Sequence, residues 1–247
     1  MGIKSDIEWT ESTWNPVTGC TKISEGCRNC YAERMACRLK AMGQVNYAGG
    51  FEVRTHENTL STPLKWRKGR IIFVNSMGDL FHEKVPFSFI SRVFQVMCRA
   101  SQHIFQVLTK RSENLEPLSR KLPWPENVWL GVTVENADYK RRMDDLRRTP
   151  AKIKFVSFEP LLGPVSKIDF RDINWAIVGG ESGPRARRVE ADWVKEIRDQ
   201  CLKSHVPFFF KQWGGKGRKK DGRTLEGRTW DQMPALPHEM ISVPRCP

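Results

Sequence analysis

The stretch Ile71-Ile-Phe-Val-Asn75-Ser-Met-Gly-Asp79 runs from four consecutive apolar residues straight into polar ones. Four β-branched or aromatic residues in a row suit a strand buried on both faces, and the polar residues suit a loop at its carboxyl end. The same figure recurs along the chain. Residues 104–108 run into Thr109-Lys110-Arg111, 128–134 into Glu135-Asn136, and 153–158 into Glu159-Pro160. Residues 175–178 run into Gly179-Gly180-Glu181-Ser182, and 206–210 into Lys211-Gln212-Trp213. Six such runs, and a seventh expected at 6–9, predict seven strands.

Between the runs the apolar period changes from two to that of a helix. Residues 86–100 carry Ile90, Val93, Phe94 and Met97 on one stripe, with Pro86 suited to the first turn. Residues 191–204 carry Trp193, Val194, Ile197, Cys201 and Leu202, and 136–148 form a charged segment expected as an outer helix. Strands alternating with helices predict an α/β fold with right-handed crossovers. The expected architecture is a partial or irregular TIM-type β/α barrel with mostly parallel strands. Polar residues then gather at one end of the sheet, where such barrels carry their chemistry. An open doubly wound sheet would place its ligand at the same ends. Residues 1–215 are read as the barrel with its N-terminal loop, and 216–247 as a basic, Gly/Pro-rich extension that includes a charged loop at 216–220.

Composition narrows the class. Lys and Arg number 41 against 28 Asp and Glu, a formal charge of +13. Such a surplus points to a polyanionic partner, because Lys and Arg that neutralise phosphates supply much of nucleic-acid affinity; the competing meaning is charge that only maintains solubility. No stretch approaches the ~20 apolar residues that span a bilayer, and residues 1–10 lack an apolar signal core. A cytoplasmic protein with no membrane partner is expected.

Four of the seven cysteines fall between positions 20 and 37. Cys20, Cys27 and Cys30 have the spacing C-x6-C-x2-C. Three thiolates on a compact loop suit three irons of a 4Fe-4S cluster and leave the fourth iron open to a small chelating ligand. Zinc is the alternative, because Cys37 extends the pattern to C-x6-C-x2-C-x6-C. If residues 31–40 are helix, however, seven residues carry Cys37 ~10 Å from Cys30. Disulfides do not suit a reducing compartment. Cys37, Cys98, Cys201 and Cys246 are read as inert.

Several separated motifs, in order, resemble a known family. They are Trp9-Thr-Glu-Ser-Thr-Trp14-Asn-Pro-Val-Thr-Gly-Cys20, Cys27-Arg-Asn-Cys30-Tyr-Ala-Glu, Asn75-Ser-Met-Gly-Asp-Leu-Phe81, Leu108-Thr-Lys-Arg111, Gly179-Gly-Glu-Ser-Gly-Pro184 and Phe209-Phe-Lys-Gln-Trp-Gly214. Together they resemble the three-Cys-motif, radical-SAM-like phage protein family, over about residues 7–215. That family is similar to the radical SAM superfamily, with spore photoproduct lyase as a relative, although the superfamily loop is usually C-x3-C-x2-C. The resemblance implies a 4Fe-4S cluster on Cys20, Cys27 and Cys30, S-adenosylmethionine as cofactor, and an electron donor protein as partner. By position it implies Asn75, Ser76 and Asp79 as holders of the cofactor's amino end, with Gly179 and Gly180 lining the site.

Further residues are candidates by their place at strand ends. Glu135 and Lys110 suit the cofactor's hydroxyls and carboxylate, with Arg111 beside them. Glu159, Glu181 and Lys211 are the catalytic candidates. As structural residues, the three glutamates would instead pair with arginines. Trp14 and Trp213 are singled out as rings that could stack on an exposed base, while most of the nine tryptophans belong in the core. The function expected is radical chemistry on nucleic acid, with DNA favoured, as lesion repair or base modification. The alternatives are the same chemistry on a protein or small metabolite, and a zinc-stabilised nucleic-acid-binding protein without catalysis.

Overall fold

The computed structural model describes residues 5–216 and 222–236. Within them lie the strands β1 (Ser12–Trp14), β2 (Val17–Thr18), β3 (Arg54–Thr55), β4 (Ile71–Val74), β5 (Ile104–Thr109), β6 (Val128–Thr133), β7 (Ile153–Phe158), β8 (Trp175–Gly179), β9 (Phe208–Gln212), β10 (Thr224–Leu225) and β11 (Arg228–Thr229). The helices are α1 (Tyr31–Ala41), α2 (Glu57–Leu60), α3 (Phe87–Arg99), α4 (Leu115–Ser119), α5 (Arg141–Arg147) and α6 (Ala191–Lys203). Seven strands form one sheet in the order β1-β4-β5-β6-β7-β8-β9, every neighbouring pair parallel. This is a curled half-barrel of the partial TIM type.

Alternation along each strand separates two cores, since successive side chains leave opposite faces of a sheet. The convex face carries Ile72, Val74, Phe105, Val107, Val128, Leu130, Val132, Phe158, Val178 and Phe210, covered by the apolar stripes of α3, α5 and α6. The concave face carries Ile71, Ile104, Trp129, Phe155, Trp175, Ile177 and Phe209, with Trp9 inserted among them. Its rings meet edge to face, Trp129 on Trp175 at 6.0 Å and Trp175 on Phe209 at 6.0 Å, the arrangement that aromatic quadrupoles prefer. A Cβ on Gly131 would lie 2.5 Å from the Phe155 ring, so any larger residue there must displace that ring. Aromatic side chains therefore fill the interior and leave the carboxyl ends of the strands as the open, polar face.

Three expected boundaries are corrected. The first strand lies at Ser12–Trp14, not at 6–9. Trp9 turns its side chain into the concave core, and its main chain forms a turn rather than a ladder. The last strand begins at Phe208, because Pro207 has no N–H to donate; its carbonyl instead accepts from the Ala176 amide. Residues 136–148 divide into a 3-10 turn, Ala137–Tyr139, capped by the Asn136 side chain, and the short α5.

The half-barrel leaves β9 as an edge, and residues 230–232 cover it. Phe210 N–H donates to Trp230 O at 2.9 Å, Gln232 N–H donates to Phe208 O at 3.3 Å, and the Trp175 indole donates to Gln232 O. Leu225 and Trp230 join the convex core, and Met233 and Leu236 pack against the concave one. Covering the edge removes a template for pairing with other chains. Residues 217–220 of the expected charged loop, and Cys246, lie outside the described residues.

Candidate active site

The loop bearing Cys20, Cys27 and Cys30 sits across the carboxyl ends of the sheet. All three thiols are half-buried and free of disulfides. Three polar braces hold the loop, each beside a different cysteine. Next to Cys20, the Arg111 guanidinium at the end of β5 donates to Thr21 O at 3.1 Å and Thr21 Oγ1 at 2.7 Å, and reaches Cys20 Sγ at 3.8 Å. Near Cys27, Ser24 Oγ donates to Glu135 Oε1 beyond β6 at 2.6 Å. A Cβ on Gly26 would fall 2.5 Å from that same oxygen, so the loop backbone rests on the carboxylate. Next to Cys30, the Asn29 amide donates to Glu181 Oε2 beyond β8 at 2.9 Å and to Arg185 O at 2.8 Å.

Beneath the loop, charges alternate across the strand ends. Glu135 is fully buried and pairs with Arg142 at 2.7 Å and Lys110 at 3.5 Å. Lys110 Nζ also approaches Glu159 O at 3.5 Å. Glu159 Oε1 pairs with Lys211 at 2.9 Å, while its other oxygen accepts from Ser157 Oγ at 3.1 Å. Glu181 pairs with the Arg187 guanidinium at 2.7 Å. Burial alone would raise the Glu181 carboxyl, but the Arg187 guanidinium, the Asn29 amide and the Arg187 N–H together hold it below the usual range. Burial, with the nearby Asp79, pushes the Cys20 thiol up to about 11 against the pull of Arg111. A metal taken up there displaces a proton from sulfur.

The cofactor candidates fall into two groups. Lys110 and Glu135 lie in the charged row directly under the loop. Gly179 lies beside it: a Cβ there would fall 2.6 Å from Glu159 Oε1. Asn75, Ser76 and Asp79 lie on the loop after β4 and make internal bonds. Asp79 accepts from Thr109 Oγ1 at 2.8 Å and from the amides of Phe81 and Lys110; burial pushes its carboxyl up, against those bonds. Asn75 Oδ1 accepts from the Val17 amide, while its buried Nδ2 has no partner. Ser76 Oγ donates to Asn15 Oδ1. Gly180 makes a close backbone approach, for a Cβ there would fall 1.9 Å from Trp213 O.

Of the two tryptophans singled out for stacking, Trp14 is corrected. Trp14 is 2% exposed within the convex core and donates its indole N–H to Thr59 O. Trp213 lies edge-on to Phe210, half-buried against the same core, with its indole donating to Thr224 O. Arg142, Ser24, Asn29 and Arg187 were not flagged by sequence, since each acts on a partner far along the chain or six or seven residues away with no periodic signature.

Cys37 stands apart from the three-thiol set. Helix α1 begins immediately after Cys30, so Cys37 is carried ~10 Å along the axis and is exposed. Among the described residues no three His, Cys, Asp or Glu side chains converge closely enough to hold one metal ion. Arg111 pairs with Glu83 at 2.7 Å, and the Arg111 Nε and Asn75 Nδ2 atoms are buried donors without partners.

The family model described as "Protein of unknown function (DUF5131)" matches residues 4–234. The chain belongs to that family. Among solved structures, this member is similar to "Spore photoproduct lyase complexed with dinucleoside spore photoproduct", at 11% identity and a TM-score of 0.44. The likeness covers 76% of this chain and 59% of that one, so the chain spans less than two thirds of that structure's length. Curated proteins show no match. Among the described residues no helix is long and apolar enough to cross a membrane.

Proposed function

We propose that this family member holds a 4Fe-4S cluster on Cys20, Cys27 and Cys30, binds S-adenosylmethionine beside it, and acts by radical chemistry on nucleic acid, DNA foremost. The observation that carries the proposal is the set of three free thiols on one loop, each beside a brace to a different strand end. When bound, the reduced cluster supplies the electron that cleaves S-adenosylmethionine. The protein's part is to orient that cofactor, exclude water and place its own charges.

Lys110 and Arg111 supply cations for the cofactor's carboxylate, and Asn75 Nδ2 offers a buried donor that no described group accepts. Ser76, Asp79, Gly179 and Gly180 complete the proposed cofactor wall, while Glu135 holds Lys110 in place and meets the loop through Ser24. Glu159, Glu181 and Lys211 are assigned to the reacting side. The role assigned to Lys211, whose Nζ lies 2.9 Å from Glu159 Oε1, is to hand a proton to a substrate atom. The aromatic concave core leaves the mouth as the place where substrate meets cofactor. The +13 charge supports a polyanionic substrate.

The test is anaerobic purification with iron, sulfide and zinc analysis, followed by a search for 5′-deoxyadenosine with reductant and S-adenosylmethionine. About four irons and four sulfides per chain, lost in Cys27→Ala, are expected. One zinc with no sulfide would overturn the proposal. A full cluster that never yields 5′-deoxyadenosine would overturn its radical part alone.

A further inference from the structure

The rim of the cysteine loop carries a combination that the proposed site does not use. Tyr31, directly after Cys30, is 46% exposed. Among the described residues its ring stacks on no other aromatic and lies under no cation. The other exposed aromatic, Phe87, has Lys121 over its ring at 5.9 Å. Arg28, between Cys27 and Cys30, is exposed, and so is Arg185, whose carbonyl accepts from Asn29. Neither guanidinium has a hydrogen-bond or ion-pair partner among the described residues, whereas nearby Lys22 is answered by Glu33 at 2.8 Å. Arg34 ties this rim to the β8–α6 loop by donating to Ser182 O at 3.0 Å, so the two segments that carry the free arginines are joined.

An exposed aromatic residue and two unanswered arginines, all carried within a few residues of Cys30 or bonded to that loop, match a nucleotide outside a duplex. The ring stacks on the base, and the arginines meet the flanking phosphates. We propose that Tyr31, Arg28 and Arg185 form the docking surface for a single-stranded or extruded segment of nucleic acid at the mouth. The inference rests on the nucleic-acid part of the proposed function and names the surface that serves it. A nucleotide offers a base for the ring and phosphates for the arginines at once, so nucleic acid is the occupant the surface fits.

The test is fluorescence anisotropy of a labelled single-stranded deoxyoligonucleotide with the full chain isolated anaerobically, its iron content recorded in parallel. Tyr31→Ser is expected to weaken binding about 5-fold or more, and Tyr31→Phe by less than about 2-fold, because only the former removes the stacking face. Arg28→Ala with Arg185→Ala is expected to lower the slope of log K against log salt by about 1.4, or about 0.7 for each phosphate contact on a single strand. Wild-type affinity in both variants would overturn the proposal, as would Tyr31→Phe binding as weakly as Tyr31→Ser. So would polyglutamate competing as well as the oligonucleotide at equal charge. A wild-type chain that binds no oligonucleotide overturns this surface and the nucleic-acid substrate together. The cluster proposal is then still decided by the iron content.

Discussion

Glu135 shows how much one strand-end residue does here. It is fully buried, answers Arg142, holds Lys110 and accepts from Ser24 of the cysteine loop. Breaking one side of a buried pair leaves the other charge uncompensated. Glu135→Ala is therefore expected to cost about 3–5 kcal/mol in urea unfolding. A loss below about 1 kcal/mol, within the range of exposed pairs, would mean that Arg142 finds water instead. Gly131→Ala probes the concave core: its Cβ would enter the Phe155 ring, at a cost of about 1–3 kcal/mol. Glu135 was visible in the sequence as a charge ending an apolar run. Arg142 was not, because a buried arginine and an exposed one look alike in a charged segment.

At the scale of elements, the cysteine loop and the edge of β9 are each held by residues remote in sequence. Asn29 bridges 152 positions to Glu181. Asn29→Ala is expected to speed amide exchange within residues 20–30 about 10-fold or more, since a hydrogen bond to a charged group is worth about 1.5–3 kcal/mol. Exchange elsewhere should stay unchanged, because stability is local; a uniform rise over the chain would refute that brace. Trp230 stands edge-on to Phe208 at 5.6 Å and has Arg228 3.5 Å above its ring. Trp230→Ala is expected to destabilise the chain by about 3–5 kcal/mol. A small loss in a denaturant titration would show that the cover over β9 contributes little. The strands were legible because short apolar runs leave few other solutions. Their ends were less so: Trp9 and Pro207 moved the first and last boundaries through packing and a missing donor.

For the whole molecule, charge and shape act together. The filled concave core leaves the carboxyl-end face open, and the proposed nucleic-acid substrate is tested through the surplus of cations. Binding of single-stranded DNA is expected to weaken steeply with salt, at about 0.7 in log K per log unit of salt for every phosphate contacted. Affinity that is flat from low to physiological salt would point to a neutral small-molecule substrate.

The sequence by itself determined the α/β class, the number of parallel strands, the face that carries polar residues and the loop that gathers three cysteines. These follow from local chemistry: the side-chain period, β-branched runs and cysteine spacing are properties of neighbours along the chain. Only the tertiary structure decided which charges answer one another under the loop. It also buried Trp14, half-buried Trp213 and left Tyr31 exposed. Burial and pairing depend on residues brought together from 6 to 152 positions apart, and no local pattern encodes which of them meet.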